Sequence, residues 1–258
     1  MLRAQRMLES PWHFTLLFLV AAGAGWIDSI AGGGGLITIP VLFGVGLPPQ
    51  LALGTNKFQA SFGSFTAAAY HIHRQVVPLR DAAPGIGMTL IGAAAGTLAV
   101  EQLQPGILSV LIPLLLFGIG LYMLVAPFPG EADRSPRLAR LPFYLVAGIP
   151  LGFYDGFFGP GVGSFWAIAF VMGLGYRLTK ATGYTKVMNF TSNVVSLVLF
   201  FLNGNVLFSV GIVMAAGQMI GARLGSELVI RRGAKFVRPV FIFVVLATTL
   251  KLLYDRIV

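Results

Sequence analysis

Gly25-Trp26-Ile27-Asp28-Ser29-Ile30-Ala31-Gly32-Gly33-Gly34-Gly35 is answered later in the chain by Gly152-Phe153-Tyr154-Asp155-Gly156-Phe157-Phe158-Gly159-Pro160-Gly161-Val162-Gly163. In both stretches an aspartate on an apolar segment stands just before a cluster of glycines. The likeness continues downstream. Gly54-Thr55-Asn56-Lys57 matches Gly183-Tyr184-Thr185-Lys186, and Ile91-Gly92-Ala93 with Gly96 matches Ile220-Gly221-Ala222 with Gly225, both 129 residues apart. An internally duplicated apolar chain, each copy broken by glycines near its start, has the pattern of a secondary transporter whose substrate sits between discontinuous helices.

Composition agrees. Hydrophobic residues make up 56% and charged residues 10% of the 258 positions, with a mean hydropathy of +0.83, whereas soluble domains carry about a quarter charged residues. Uncharged runs cover 29–56, 82–100, 102–130, 156–176 and 187–222, and a membrane-spanning helix needs only ~20 apolar residues. The formal charge of +9 is spread over short loops between these runs, which points to membrane topology and away from a nucleic-acid partner. With no cysteine, thiolate metal sites and cysteine nucleophiles are excluded. Arg3 and Arg6 ahead of Phe14–Val20 resemble an export signal. The equivalent lead-in Leu141–Leu151 lies in mid-chain, however, so residues 14–25 are read as part of the repeat.

Two matching halves follow. The first has apolar pieces at 12–30 and 35–47 around its glycine break, then 49–70, 83–101 and 107–126. The second has 141–158 and 162–174, then 178–202, 206–229 and 236–254. The expected division is residues 1–126 as first repeat, 127–140 as cytoplasmic linker and 141–258 as second repeat. Loops 71–82, 127–140, 175–180 and 230–238 carry two, three, two and four Lys or Arg, while 47–50, 102–106 and 203–205 carry none. The positive-inside rule puts the first group in the cytoplasm, so matching loops of the two halves face opposite sides and the repeats are inverted. Inversion needs an odd number of reversals per half. Each glycine-broken segment is therefore expected to enter and return as a hairpin before three transmembrane helices, with both termini periplasmic.

Irregular backbone at membrane depth is tolerated only where protein buries it or a polar cavity receives it. Helices restarting near Leu36 and Ser164 would aim free N–H groups and a partial positive charge at that cavity, and glycine lets an anion approach the backbone closely. The alternative use of Gly32–Gly35 is tight helix packing. Lys57 and Lys186 lie at equivalent places about eight residues into a helix, where they either snorkel to the interface or face inward. Thr182, Lys186, Asn189, Asn193 and Ser196 form a polar stripe on one helix face, and Lys57, Ser61 and Ser64 form a thinner one with Asn56 and Gln59 nearby. Asp28 and Asp155, if buried, are either paired with the lysines or protonated, the latter giving a proton-coupling role. Arg223 and Glu227 read as a local i,i+4 pair. Gly92-x-x-x-Gly96 and Gly217-x-x-x-Gly221-x-x-x-Gly225 are close-approach faces that serve internal packing or a homodimer. His13, His71 and His73 read as a loop or interface scatter without the acidic partners of a metal site.

The stretches 25–40, with Asp28 and Gly32–Gly35, 54–57, with Thr55-Asn56-Lys57, and 152–160 closely resemble the TauE/SafE family of bacterial inner-membrane permeases, over roughly residues 12–256. That resemblance implies a multi-spanning permease in the bacterial inner membrane and an oxyanion-like substrate, since family members are described as exporters of sulfite and small organosulfonates. The combined expectation is an all-α polytopic membrane protein of two inverted repeats, without cofactor, metal or enzymatic activity, that moves a small anion. Its site residues are Gly32, Gly33, Gly34, Gly35, Asn56, Lys57, Gly159, Gly161, Gly163, Lys186, Asn189 and Asn193, with Asp28 and Asp155 as proton-coupling candidates. An anion channel and a proton-coupled importer are the alternatives.

Overall fold

A computed structural model describes residues 11–125 and 134–232. The expected helix 236–254, residues 1–10 and the first part of the linker lie outside them. The described residues are helical throughout their regular elements: α1 (Pro11–Ala31), α2 (Gly35–Gly44), α3 (Pro49–His73), α4 (Leu79–Glu101), α5 (Pro105–Val125), α6 (Arg140–Phe143), a π-helical turn (Tyr144–Gly148), α7 (Ile149–Phe157), α8 (Val162–Leu174), α9 (Leu178–Leu202) and α10 (Phe208–Arg232). Prolines set several of the starts. Pro49 opens α3 behind an extended Pro48, Pro105 opens α5, and Pro78 in extended conformation precedes α4, as suits a residue whose missing N–H is unneeded in the first turn. Pro150 has no N–H to give Val146, and the helical ladder widens into the π turn just before it.

Among the described residues, four helices are long and apolar enough to cross a membrane: Trp12–Ile30, Leu79–Glu101, Leu178–Leu202 and Phe208–Arg231. At 25 residues α3 is about 38 Å long, enough to span a ~30 Å hydrocarbon layer, but its polar groups lower its hydropathy. Those polar groups are inside. Asn56, Lys57, Gln59, Ser61 and Ser64 are all buried, whereas Leu98, Leu114, Leu202 and Leu224 stand exposed on the outer surface. A bundle with polar atoms within and leucine without is a multi-pass membrane protein.

Partners are exchanged along the chain. α1 lies on α10, α7 lies on α4, and α3 lies on α9. Both outer contacts are glycine seams. A side chain on Gly221 would meet the Ala22 carbonyl and the Trp26 nitrogen, and one on Gly96 would meet the backbone of Phe153 and Phe157. Gly152 and Gly156 return the approach against Thr89 and Ala93, and Gly25 does so against Gln218. These faces, left open in the sequence between packing and dimerisation, are therefore occupied within the chain.

Side-chain bonds gather the helix ends. Gln50 donates to the Leu103 carbonyl at 3.0 Å, and Asn203 and Asn205 donate to the Glu101 carboxylate, so the loops without Lys or Arg collect at one end. At the other end Arg140 pairs with Asp81 at 2.7 Å, and the Arg134 and Arg137 N–H groups donate to the Gly175 and Gly173 carbonyls at 2.8 and 2.9 Å. Arg223 reaches that same end over the Tyr70 ring and pairs with Glu227 at 3.4 Å, as the i,i+4 spacing indicates.

If the seams hold α1 on α10, Gly221→Ala is expected to destabilise the bundle by about 1–3 kcal/mol, the usual cost of overpacking. Gly23→Ala, where an added methyl meets nothing within 4 Å, is expected to leave stability unchanged or slightly raised. Thermal unfolding of both variants in detergent checks this.

Candidate functional site

The two breaks meet at the centre of the bundle. α1 ends at Ala31, and Gly32 turns left-handed at φ +75°. Gly159 and Gly161 do the same at +99° and +80° before α8 begins. Only glycine adopts such angles readily. A side chain on Gly32 would run into the backbone of Gly163, and one on Gly163 would run into Gly32, so the broken segments touch backbone to backbone. Neither α2 nor α8 begins on a capping side chain; the N–H groups of Leu36, Ile37 and Thr38 close onto the Gly33 and Gly34 carbonyls, and those of Val162, Ser164 and Phe165 close onto the Gly159 and Gly161 carbonyls.

The lysines close the opposite helix ends. Lys57 on α3 donates to the Asp155 carbonyl at 2.5 Å, pairs with its carboxylate at 2.7 Å and reaches the Asn193 side-chain oxygen at 3.2 Å. Lys186 on α9 donates to the Asp28 carbonyl and lies 3.4 Å from its carboxylate. Each ammonium thus caps the last turn of a broken helix in the other half, where the carbonyls carry partial negative charge; the Asp28 carbonyl also accepts the Gly32 N–H at 2.8 Å. Both lysines are 2% exposed or less, so they face inward and do not snorkel. Of the alternatives for Asp28 and Asp155, this arrangement realises pairing.

The two pairs differ in setting. Asp155 is almost fully buried and also accepts a hydrogen bond from Ser192 Oγ, while the Asp28 side chain is 21% exposed and accepts the Gly34 N–H at 3.2 Å. Asp155 is the more constrained carboxylate.

Between these groups lies a cavity of about 30 Å³, large enough for about two waters. Gly32, Gly35, Gly159 and Gly161 line it from the breaks, Asn56, Lys57, Asn189 and Asn193 line it from α3 and α9, and Asp28 and Asp155 line it as well. Gly33, Gly34, Gly163 and Lys186 do not line it: Gly34 packs on Asp28, Gly163 packs on Gly32, and Lys186 stands behind Asp28. Asn56 is held in place because its side-chain oxygen accepts from Thr38 at 2.6 Å and from Gln59 at 2.8 Å.

Gln218, from α10, is a lining residue that the sequence reading missed. Its signal is an amide in the uncharged run 187–222, masked by the Gly217-x-x-x-Gly221 face around it, which reads as internal packing or a homodimer contact. Gln59, Asn189 and Gln218 each hold a buried side-chain oxygen with no protein partner among the described residues, so the cavity offers acceptors as well as donors. Ser192, one turn from Asn189 on the polar stripe, was likewise missed. His71 corrects the sequence reading in the other direction: it is no loop residue, because α3 continues to His73 and its ring is fully buried against Gly183.

A helical membrane bundle with paired charges and a polar cavity at two helix breaks belongs among proteins that handle polar solutes inside the bilayer. The chain is a member of the family described as Sulfite exporter TauE/SafE, which it matches over residues 17–252. It is 50% identical over 248 residues to the probable membrane transporter protein YfcA of Escherichia coli K12, covering 96% of this chain and 92% of that protein. A probable membrane transporter protein of Haemophilus influenzae is 46% identical over 241 residues, covering 93% and 94%. The probable membrane transporter protein ORF9 of a Sinorhizobium species is 42% identical over 250 residues, covering 96% of each chain. No solved structure matches the chain.

Removing one partner of a buried ion pair costs about 3–5 kcal/mol, because the other charge is left uncompensated. Lys57→Met is therefore expected to lower the unfolding temperature in detergent sharply, and Lys57→Met/Asp155→Asn to restore most of it. Equal losses in the single and double variants would mean that the ammonium acts through the Asp155 carbonyl alone.

Proposed function

We propose that this protein transports a small oxyanion or sulfonate, with sulfite as the first candidate, by alternating access around the cavity between the two glycine breaks. The observation that carries this reading is the cavity itself, lined by both breaks, set at the N-terminal ends of α2 and α8 and edged by Lys57. Helix N-termini favour anions without needing a basic side chain.

The reading includes two inverted repeats, residues 1–126 and 141–258, joined by a cytoplasmic linker. Supporting it, the exchanged packing of α1 with α10 and α7 with α4, and the reciprocal pairs Lys57–Asp155 and Lys186–Asp28, relate the halves symmetrically. The gathering of basic loops at one end of the bundle fits a cytoplasmic face in the bacterial inner membrane with periplasmic termini. Single cysteines at Gln75 and Asn203, near-equivalent loop positions in this cysteine-free chain, are expected to label from inside and outside respectively. Labelling of both from one side removes the inverted arrangement.

Direction follows from energetics. A potential of about 100 mV, inside negative, is worth ~2.3 kcal/mol per charge and expels a monovalent anion against a gradient of roughly 50-fold without a coupled ion. Export is thus the simpler direction. A proton-coupled importer is the second reading, favoured by the pairing of both lysines with carboxylates. An anion gains an ammonium only as Asp28 or Asp155 lets it go, and protonation is the direct way to release it.

Proteoliposomes test these readings together. Sulfite efflux that speeds up with sulfite on the opposite side supports a carrier, whereas rapid flux without counter-transport indicates a channel. Gly161→Val forces a branched side chain into a left-handed angle and is expected to abolish flux in a protein that still purifies. In Lys186→Met/Asp28→Asn, sulfite affinity is expected to fall about 10- to 150-fold, the worth of a hydrogen bond to a charged group. Unchanged affinity in that variant would move the site away from the breaks.

A further inference from the structure

A second concavity, of about 410 Å³, opens on the outer surface at the basic end of the bundle, between the last turns of α3 and the middle of α10. Its rim is cationic. Arg74 and Arg223 both lie over the Tyr70 ring, with guanidinium carbons 5.3 and 4.0 Å from its centre, and His73 stands beside them. One carboxylate faces this group: Glu227, 3.4 Å from Arg223, is shared with Arg231 at 2.7 Å. Among the described residues, three guanidinium groups share that one carboxylate, which leaves net positive charge near the rim. Contact with a common ring keeps Arg74 and Arg223 together, and guanidinium groups suit phosphate oxygens.

The floor is apolar and runs away from that end. Phe65 is 52% exposed two and a half turns before Arg74, and Ala69 lies exposed between them on the same lining. At 1.5 Å per residue the nine residues from Phe65 to Arg74 span about 13 Å, from the bundle end into the lipid-facing surface. A soluble anion would use only the rim. An amphiphile with an anionic head and a hydrocarbon tail would use both, and charge complementarity selects its head group.

We propose that this groove binds an anionic phospholipid, its phosphate at the Arg74 and Arg223 rim and an acyl chain along Ala69 and Phe65. Delipidated protein in neutral detergent provides the test, by thermal unfolding with added phosphatidylglycerol, phosphatidylcholine or glycerol 3-phosphate. Phosphatidylglycerol is expected to raise the unfolding temperature more than phosphatidylcholine does, and to bind at least five-fold more tightly in native mass spectrometry. Arg74→Gln, an exposed side chain, and Arg74→Gln/Arg223→Gln are expected to lose that preference. Arg80→Gln, the same charge change outside the groove, is expected to keep it. Equal effects of the two lipids, a preference that survives the double variant, or glycerol 3-phosphate acting as strongly as phosphatidylglycerol would each overturn the proposal. Neither arginine touches the central cavity, so failure of sulfite transport and failure of lipid binding are separate results.

Discussion

Lipid offers no partner to a backbone N–H or C=O, and two helices that stop inside a membrane protein leave several of each to be satisfied. The bundle resolves this by setting the breaks against one another. Carbonyls at the ends of α1 and α7 receive Lys186 and Lys57, while the opening turns of α2 and α8 face a small polar cavity. The lysines are structural in the sense that they cap helix ends, and electrostatic in the sense that they balance Asp28 and Asp155. Either role alone would leave a buried charge or a buried carbonyl exposed to hydrocarbon.

Because each lysine reaches across to the other half, neither break is complete without the opposite half. The helix seams repeat the theme, since α1 finds its glycine-lined partner in α10 and α7 finds its own in α4. Seams of this kind are close-packed, with little capacity for gradual deformation. Under the proposed cycle a rigid movement of one group of helices past another is therefore the mode available, and the glycines between them allow sliding without side chains to disengage.

Much of this was legible in the chain. Four glycines in a row after Asp28, repeated loosely after Asp155, announced helix breaks, because no packing motif needs glycines side by side. The 4-3-4-3 spacing from Thr182 to Ser196 announced an inward face, and every residue of that stripe is buried. What the spacing did not convey was partnership. Whether Lys57 meets Asp28 or Asp155 depends on how two segments 98 residues apart fold together, and a one-dimensional pattern carries no term for it. Gln218 was hidden for a related reason: on α10 it shares a helix with a glycine seam, and only the approach of α1 and α3 turns its side chain to the cavity. His71 was misread because a loop was assumed where α3 keeps its helical bonds for one more turn.

The two halves are alike without being equal, and the inequality bears on which side of the cavity could rearrange. Asp155 is fixed by Lys57 at 2.7 Å, by Ser192 and by near-complete burial. Asp28 has a longer contact to Lys186 at 3.4 Å, a backbone N–H from Gly34 and 21% exposure. Separating a buried pair costs most where water cannot follow, so the tighter pair is the anchor and the looser one is the part free to rearrange. The Gly34 N–H that now serves Asp28 belongs to the glycine run where an anion would approach. Displacing Asp28 would free that donor and the Lys186 ammonium together. Under the proposed cycle, loading the cavity and loosening the first break are one event, and the Lys57–Asp155 pair stays closed while it happens.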